Sequence, residues 1–131
     1  MQEGRFRGGI VPYGYRLEKQ GRFNKKNHEV NEILIDPDEA AVVRIIFEKY
    51  VHEGFGAQRL SRWLYHNGYL NRKGTNFANT TIIKMLKNIM YVGILRSGET
   101  RSEIFPELQI VPLDLYERAQ ELMEARTMHH N

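Results

Sequence analysis

Cysteine is absent from this sequence of 131 residues, and so is any long apolar run. Without cysteine, the chain has no disulfide framework and no thiolate-ligated zinc site. Its longest apolar runs, such as residues 40–43, span only a few residues, whereas a membrane helix needs roughly 20. No segment has the pattern of a signal peptide. These absences predict a soluble chain with no membrane partner and, by default, a cytoplasmic location, while the length of 131 residues and the 41% of apolar residues predict one domain.

Acidic residues are missing from one long stretch of the chain. Residues 54–98 carry seven Lys or Arg and no Asp or Glu, although the whole sequence has 19 basic and 16 acidic residues and a net charge of only +3. The next 33 residues, 99–131, hold three basic and seven acidic residues. This acid-free block is typical of a surface that binds a polyanion, and a solvated helix face of one sign is the plainer alternative.

The N-terminal quarter predicts an arm followed by two short strands. Residues 1–11 are polar and Gly-rich with Arg5 and Arg7, which is typical of a linker or entry arm. Residues 12–17 and 30–35 have the composition of antiparallel strands, and the segment 20–28 between them is a polar, basic loop.

The first helix has the clearest boundaries in the sequence. Asp36 is a good N-cap, Pro37 suits the first helical position, and Glu39 completes a possible capping box. Gly54 is the expected end. Because its apolar residues recur at helical spacing, the helix is predicted to pack in the core.

Three further helices are predicted. The second covers about residues 57–67 and ends at Gly68, the third runs from Asn79 as N-cap to residue 86 or 88, and the last spans about 113–126 with an acidic outer face. Residues 91–95 and 103–105 are expected to form a small hairpin, or two irregular strands, around a turn at Ser97 and Gly98. The predicted fold is a mostly helical α+β domain, a small helical bundle with a helix-turn-helix-like pair and short antiparallel β elements.

The second and third helices have the general form of a helix-turn-helix DNA reader. Lys84 and Lys87 can neutralise phosphates, and Asn79, Thr80 and Thr81 can donate hydrogen bonds from a helix N-terminus, where the helix dipole adds attraction. The pattern alone is weak, since any three-helix bundle has a polar face and the ten-residue loop is longer than the usual turn.

The residues give no support for catalysis, a cofactor or a small-molecule substrate. The serines lack a neighbouring His and Asp, the histidines at 28, 52 and 66 are isolated, and no Gly-rich phosphate loop is present. His129 and His130 lie in a short tail, 127–131, that is expected to be disordered rather than to hold a metal.

Several motifs, in their order along the chain, resemble the recombinase domain of large serine recombinases, the family of phage integrases and transposon-encoded site-specific recombinases. They are Pro12-Tyr13-Gly14-Tyr15-Arg16, LIDPDEAAVVR at 34–44, IFEKY at 46–50, Leu86-Lys87-Asn88, Tyr91-Val92-Gly93, and YERAQ at 116–120. The resemblance covers about residues 8–126. Two departures are mild: Phe77 stands where Trp is common, and Ile89-Met90 replaces the usual Asn-Pro.

The resemblance implies a non-catalytic domain, residues 12–126 behind the arm 1–11, that binds double-stranded DNA at an attachment half-site. The catalytic serine domain and a zinc ribbon would belong to other parts of a longer bacterial or phage-encoded protein, whose other subunits are expected partners. Two alternatives stay open: a stand-alone helix-turn-helix regulator, and a protein-interaction module of a synaptic complex.

The predicted DNA contacts are basic or short hydrogen-bonding residues on the arm, the second helix, the loop and the third helix. They are Arg5, Arg7 and Arg16 on the arm and first strand, Arg59 and Arg62 on the second helix, and Lys73, Asn76, Asn79, Thr80, Thr81, Lys84 and Lys87 on the loop and third helix. Tyr15, Trp63 and Phe77 are expected in the core.

Overall fold

The computed structural model describes residues 11–23 and 29–128. Two strands, β1 (Tyr15–Phe23) and β2 (Glu29–Ile35), precede the helices α1 (Pro37–His52), α2 (Ala57–His66) and α3 (Asn79–Leu86). A 3₁₀ turn at Ile89–Val92, a hairpin of β3 (Arg96–Ser97) and β4 (Thr100–Arg101), and a 3₁₀ turn at Pro106–Leu108 follow, and α4 (Leu113–Met128) ends the described chain. The predicted mostly helical α+β class is confirmed.

β1 and β2 form an antiparallel pair in the register that joins Tyr15 to Ile35 and Leu17 to Ile33. The pairing shifts between Lys19 and Phe23, where the register is irregular. Two two-stranded sheets are the only sheets among the described residues, so helices supply most of the core. The first strand starts at Tyr15 rather than at residue 12 because Tyr13 and Gly14 form a turn, with Gly14 at a φ of +108°.

The N-terminus of α1 follows the sequence prediction in part. The Asp36 carboxylate accepts hydrogen bonds from the backbone N–H groups of Asp38 and Glu39, as an N-cap should. Glu39, however, does not complete a capping box. Its carboxylate accepts from the Gly14 N–H at 2.8 Å and from Arg72, because the turn at residues 12–14 and the loop before α3 both pack against this end of α1.

The core lies between α1, α4 and the α2–α3 pair. The predicted stripe of α1 is buried at Ala40, Val43, Ile46, Phe47 and Tyr50, and only Val51 is half-buried. Burying a side chain of the size of Phe47 stabilises the fold by roughly 1.5–3 kcal/mol. The expected core positions Tyr15 and Phe77 are also buried, and Trp63 is half-buried against the core.

The segment after α3 differs from its prediction. Residues 91–95 were expected as a strand, but Ile89–Val92 is a 3₁₀ turn, and the hairpin is shorter, with β3 and β4 around Gly98 and Glu99. Asn88 starts the 3₁₀ turn by accepting from the Met90 N–H, and Gly93 ends it at a φ of +92°. Packing of Tyr91 in the core therefore overrides the strand preference of these residues.

Within the described residues, none of the helices combines the length and the apolar character that crossing a bilayer requires. In the same part of the chain, no three His, Asp or Glu side chains are grouped so that they could hold a metal ion.

Candidate nucleic-acid interface

Ten of the twelve predicted contact residues lie in the described part of the chain, and all ten are exposed. Arg5 and Arg7 lie outside the described residues. Arg16, on β1, is 3.7 Å from the carboxylate of Glu18, and both side chains are about half exposed, so this ion pair contributes little to stability. The others are spread over α2, α3 and the connection between them.

One cleft brings the loop and α3 together. It has a volume of about 410 Å³, and three predicted contacts, Lys73, Thr81 and Lys84, line it. We call it the α3 cleft. Its other walls come from the turn before β1, the start of the loop and the end of α3, namely Pro12, Tyr13, Asn71, Arg72, Phe77, Met85, Asn88 and Tyr91.

A second cleft lies on the other side of α3. It has a volume of about 380 Å³, contains the predicted contacts Arg59 and Lys87, and adds Arg126 from α4; we call it the α2–α4 cleft. The guanidinium of Arg59 lies 3.9 Å from the centre of the Phe55 ring, and that of Arg126 lies 4.5 Å from the Tyr50 ring. These ring contacts restrict the two arginines, and an N–H group of Arg126 also donates to the Gly54 carbonyl at 3.5 Å.

Lys84 and Lys87, both at the C-terminal end of α3, therefore lie in different clefts. The basic residues around α3 form two groups rather than one continuous surface. Arg62, Asn76, Asn79 and Thr80 line neither cleft, although each is exposed.

The N-termini of α2 and α3 are chemically different from that of α1. Asp36 caps α1, and Asp38 and Glu39 lie in its first turn. By contrast, Gly56 and Ala78 are the N-caps of α2 and α3, and within the described chain neither helix has a side-chain cap or an acidic residue in its first turn. The predicted capping role of Asn79 is wrong, since Asn79 is the first residue of α3. The positive ends of both helices are thus not neutralised.

The connection between α2 and α3 is ordered by its own hydrogen bonds. The Asn71 side-chain oxygen accepts from the N–H groups of Lys73 and Thr75, while its amide nitrogen donates to Thr75 Oγ1 and to the Asn76 carbonyl. The Ser61 hydroxyl donates to the carbonyl of buried Phe77 at 2.6 Å and so ties the loop to α2. Lys73 and Asn76 therefore project from a defined loop.

A known protein family shares the sequence pattern of the helical region. The family model named Recombinase matches residues 37–126. The chain belongs to the Recombinase family. No curated protein matches it.

Two solved structures share the fold of this Recombinase-family chain. One is the crystal structure of a large serine recombinase–DNA complex, with a TM-score of 0.68 at 17% identity over 94% of this chain and 34% of the other. The second concerns the sequence requirements of the Listeria innocua prophage attP site, with a TM-score of 0.62 at 17% identity over 95% and 45%. At this identity the likeness establishes the fold alone, and the chain spans less than half of either protein.

Arg72 of the Recombinase-family chain has a role that the sequence did not indicate. Its guanidinium donates to both Glu39 carboxylate oxygens and to the carbonyls of Val11, Pro12 and Tyr15, at 2.6 to 2.9 Å. The hydrogen bond to Glu39 raises the pKa of Arg72. One of the seven basic residues of the acid-free block therefore holds the chain before β1 against α1.

The tyrosines beside the α3 cleft are also structural. The Tyr15 hydroxyl shares its single proton between the carbonyls of Met90 and Leu108, and the Tyr91 hydroxyl donates to the carbonyl of Tyr13. Burial, and next the charge of Glu39, raise the pKa of Tyr13 to about 12. Of these three tyrosines, Tyr13 and Tyr91 line the α3 cleft together with Lys73 and Lys84.

Proposed function

We propose that this chain binds double-stranded DNA at a recombination attachment half-site, as the non-catalytic DNA-binding domain of a larger serine site-specific recombinase. The observation that carries the proposal is the pairing of two uncapped helix N-termini, those of α2 and α3, with clefts lined by Lys73, Lys84, Arg59 and Lys87. Phosphate oxygens suit free backbone N–H groups at a positive helix end, with cationic side chains beside them.

The residue types suggest a division of the contacts. Lys73, Lys84, Lys87 and Arg59 are suited to phosphates, because ammonium and guanidinium groups bind backbone oxygens whatever the base sequence. Asn76, Asn79, Thr80 and Thr81 are short and exposed near the N-terminus of α3, which makes them the candidates for base edges in the major groove. Arg62 extends the basic face along α2.

The arm, residues 1–11, would contact the DNA in addition to the residues of α3. Arg5 and Arg7 on the arm, and Arg16 on β1, are candidates for phosphate or minor-groove contacts. Arg72 supports this role indirectly, because it holds the carbonyls of Val11 and Pro12 beside the α3 cleft.

Catalysis would be carried by another domain of the same protein, and other recombinase subunits would be its protein partners. The outer face of α4 offers a surface for such a partner, with Asp114, Glu117, Glu121 and Glu124 all exposed.

The proposal is tested by titrating a labelled duplex of mixed sequence with the chain at increasing salt. If about four to six phosphates are neutralised, log K should fall with log salt at a slope of about −4 to −5. Replacing both Lys84 and Lys87 with Ala should weaken binding to any duplex and reduce the slope by about 2. Arg118→Ala is the control, because Arg118 is exposed on α4 and pairs with Glu121 at 3.0 Å.

A slope near zero for the unmodified chain would contradict DNA binding. If the double lysine variant binds normally while Arg59→Ala with Arg62→Ala abolishes binding, α2 rather than α3 is the DNA-contacting helix.

A further inference from the structure

The β3–β4 hairpin places two arginines directly opposite each other. Its register pairs Arg96 with Arg101 and Ser97 with Thr100. Directly paired residues project from the same face of a two-stranded sheet, with Cβ atoms about 4.5–5.5 Å apart, and like charges in this arrangement destabilise the pairing. The shorter of the two sheets among the described residues therefore carries an unfavourable charge pair.

No acidic group compensates this charge in the described part of the chain. Arg96 and Arg101 are exposed, and neither forms an ion pair with a described carboxylate. Glu99, in the turn, and Glu103, two residues after β4, are the nearest acidic residues in sequence, and both are exposed themselves. The pair is thus a concentrated positive charge with room for an anion.

The hairpin also forms a cleft of suitable size and chemistry. Its volume is about 420 Å³, and it is lined by Leu95, Arg96, Ser97, Thr100, Arg101, Ser102 and Phe105. The Ser102 hydroxyl is already used, since it accepts from the Leu95 N–H and donates to the Glu103 carbonyl. The hydroxyls of Ser97 and Thr100 remain as further donors beside the guanidinium groups.

The base of the hairpin is fixed to the core. The Ser102 N–H donates to the Leu95 carbonyl at 2.8 Å, and the Phe105 N–H donates to the Gly93 carbonyl at 2.8 Å. A Cβ on Gly93 would lie 2.6 Å from the Phe105 carbonyl oxygen, so this close approach requires glycine. The two arginines are therefore presented by an anchored element rather than by a free loop.

Tyr116, near the start of α4, contacts the end of α3. Burial raises the pKa of Tyr116, and the positive charges of Arg101 and Arg96 act in the opposite direction. The Tyr116 hydroxyl donates to the Lys87 carbonyl at 2.8 Å. This contact joins the start of α4 to the backbone at the end of α3, while the Lys87 side chain lines the α2–α4 cleft.

We propose that Arg96 and Arg101 jointly bind a backbone phosphate of duplex DNA, with Ser97 and Thr100 as additional donors. This phosphate site is separate from the α3 and α2–α4 clefts, and it extends the DNA-binding surface across the hairpin. It rests on the proposed function, to which it adds a DNA contact that the sequence did not indicate. A bound phosphodiester would offset the repulsion that the free hairpin carries.

The test uses a double variant that carries both Arg96→Gln and Arg101→Gln. Its DNA binding is compared with that of the unmodified chain, using the same mixed-sequence duplex and salt titration. The variant should bind more weakly at low salt, and the slope of log K against log salt should fall in magnitude by about 1 to 2, because one or two fewer phosphates are neutralised. The double variant with Lys at both positions keeps the charge and should keep most of the slope. Arg118→Gln is the matched control and should leave the slope unchanged.

Thermal melting provides the second readout. Because the substitution removes two opposed like charges, the Gln variant should melt at the same temperature as the unmodified chain or higher. A lower melting temperature together with weakened binding would assign the arginines a structural role and overturn the site.

The failure of this site is distinguishable from failure of DNA binding itself. If the Gln variant binds DNA with an unchanged slope while the Lys84 and Lys87 variant does not, the proposed function stands and the hairpin site is overturned. If the Gln variant instead loses self-association in sedimentation with an unchanged slope, the arginines bind the acidic face of α4 on a second copy, and the DNA site is likewise overturned.

Discussion

At the scale of single residues, Arg72 and Lys73 are neighbours in the same loop with opposite uses. The Arg72 guanidinium donates five hydrogen bonds, to Glu39 and to three backbone carbonyls. The side chain of Lys73, by contrast, is exposed in the α3 cleft. The planar, forked guanidinium makes this possible, since an ammonium group cannot reach acceptors in such a fixed pattern. A count of positive charge along the sequence treats the two residues as equal.

Replacing Arg72 with Ala should therefore lower the free energy of unfolding by about 1–3 kcal/mol, because the Glu39 carboxylate and the carbonyls lose their donor. Arg72→Lys should recover only part of the loss. Urea denaturation measures both. Lys73→Ala is the matched control, with an expected change within about 0.5 kcal/mol. An Arg72→Ala variant as stable as the control would show that the hydrogen bonds of Arg72 do not stabilise the fold.

At the scale of secondary structure, the four helices formed close to their predicted bounds, although Asn79 does not cap α3, and the segment after α3 differs from its prediction. Asp36 and Pro37 begin α1, and Gly54 and Gly68 lie at positive φ just beyond α1 and α2. After α3, the 3₁₀ turn at Ile89–Val92 and the short hairpin depend on contacts with residues far along the chain. The Tyr91 carbonyl, for example, accepts from the N–H groups of Ile110 and Val111.

Gly93 is the position where this element can be tested. Its φ is +92° and an added Cβ would lie 2.6 Å from the Phe105 carbonyl oxygen, so Gly93→Ala should cost about 3 kcal/mol or more from backbone strain and overpacking together. Gly98 has a φ of +64° but nothing within 4 Å of an added Cβ. Gly98→Ala should therefore cost only about 1–2 kcal/mol. Thermal melting compares the two, and equal destabilisation would argue against the close approach at Gly93.

At the scale of the whole molecule, hydroxyl groups of tyrosines join the start of the chain to its second half. Tyr15 bonds to Met90 and Leu108, and its ring stacks on that of Tyr91 with centroids 5.8 Å apart. Burial is the largest cause of the raised pKa of Tyr15, Tyr91 and Tyr13. These groups must stay protonated in the folded state, which makes the fold sensitive to alkali.

The sign of the pH dependence follows from the raised pKa values. A tyrosine that ionises near 10 when unfolded and higher when folded gives its full stabilisation below pH of about 10 and loses it as pH rises. Each buried tyrosine should contribute a decline of up to about 1.4 kcal/mol per pH unit, and Tyr13 less because it is partly solvated. Urea denaturation between pH 8 and about 11.5 measures this slope.

Tyr15→Phe should reduce the alkaline decline, although it also lowers stability at neutral pH by about 1–3 kcal/mol, because two buried carbonyls lose their donor. Stability that is independent of pH up to about 11, with all tyrosines ionising near pH 10 by absorbance, would contradict the role of the buried hydroxyls.

The helices and the class of fold follow from the sequence, because caps, glycines and apolar periodicity act over a few residues, and the acid-free block is a property of the sequence itself. The positions of the charged side chains relative to one another follow only from the packing of the elements. Arg72 binds Glu39, and Lys84 and Lys87 lie in different clefts. Arg126 of acidic α4 lines the same cleft as Arg59, and Arg96 pairs with Arg101 in the hairpin. These relations join residues that are distant in the chain or depend on a register, and no local pattern encodes them.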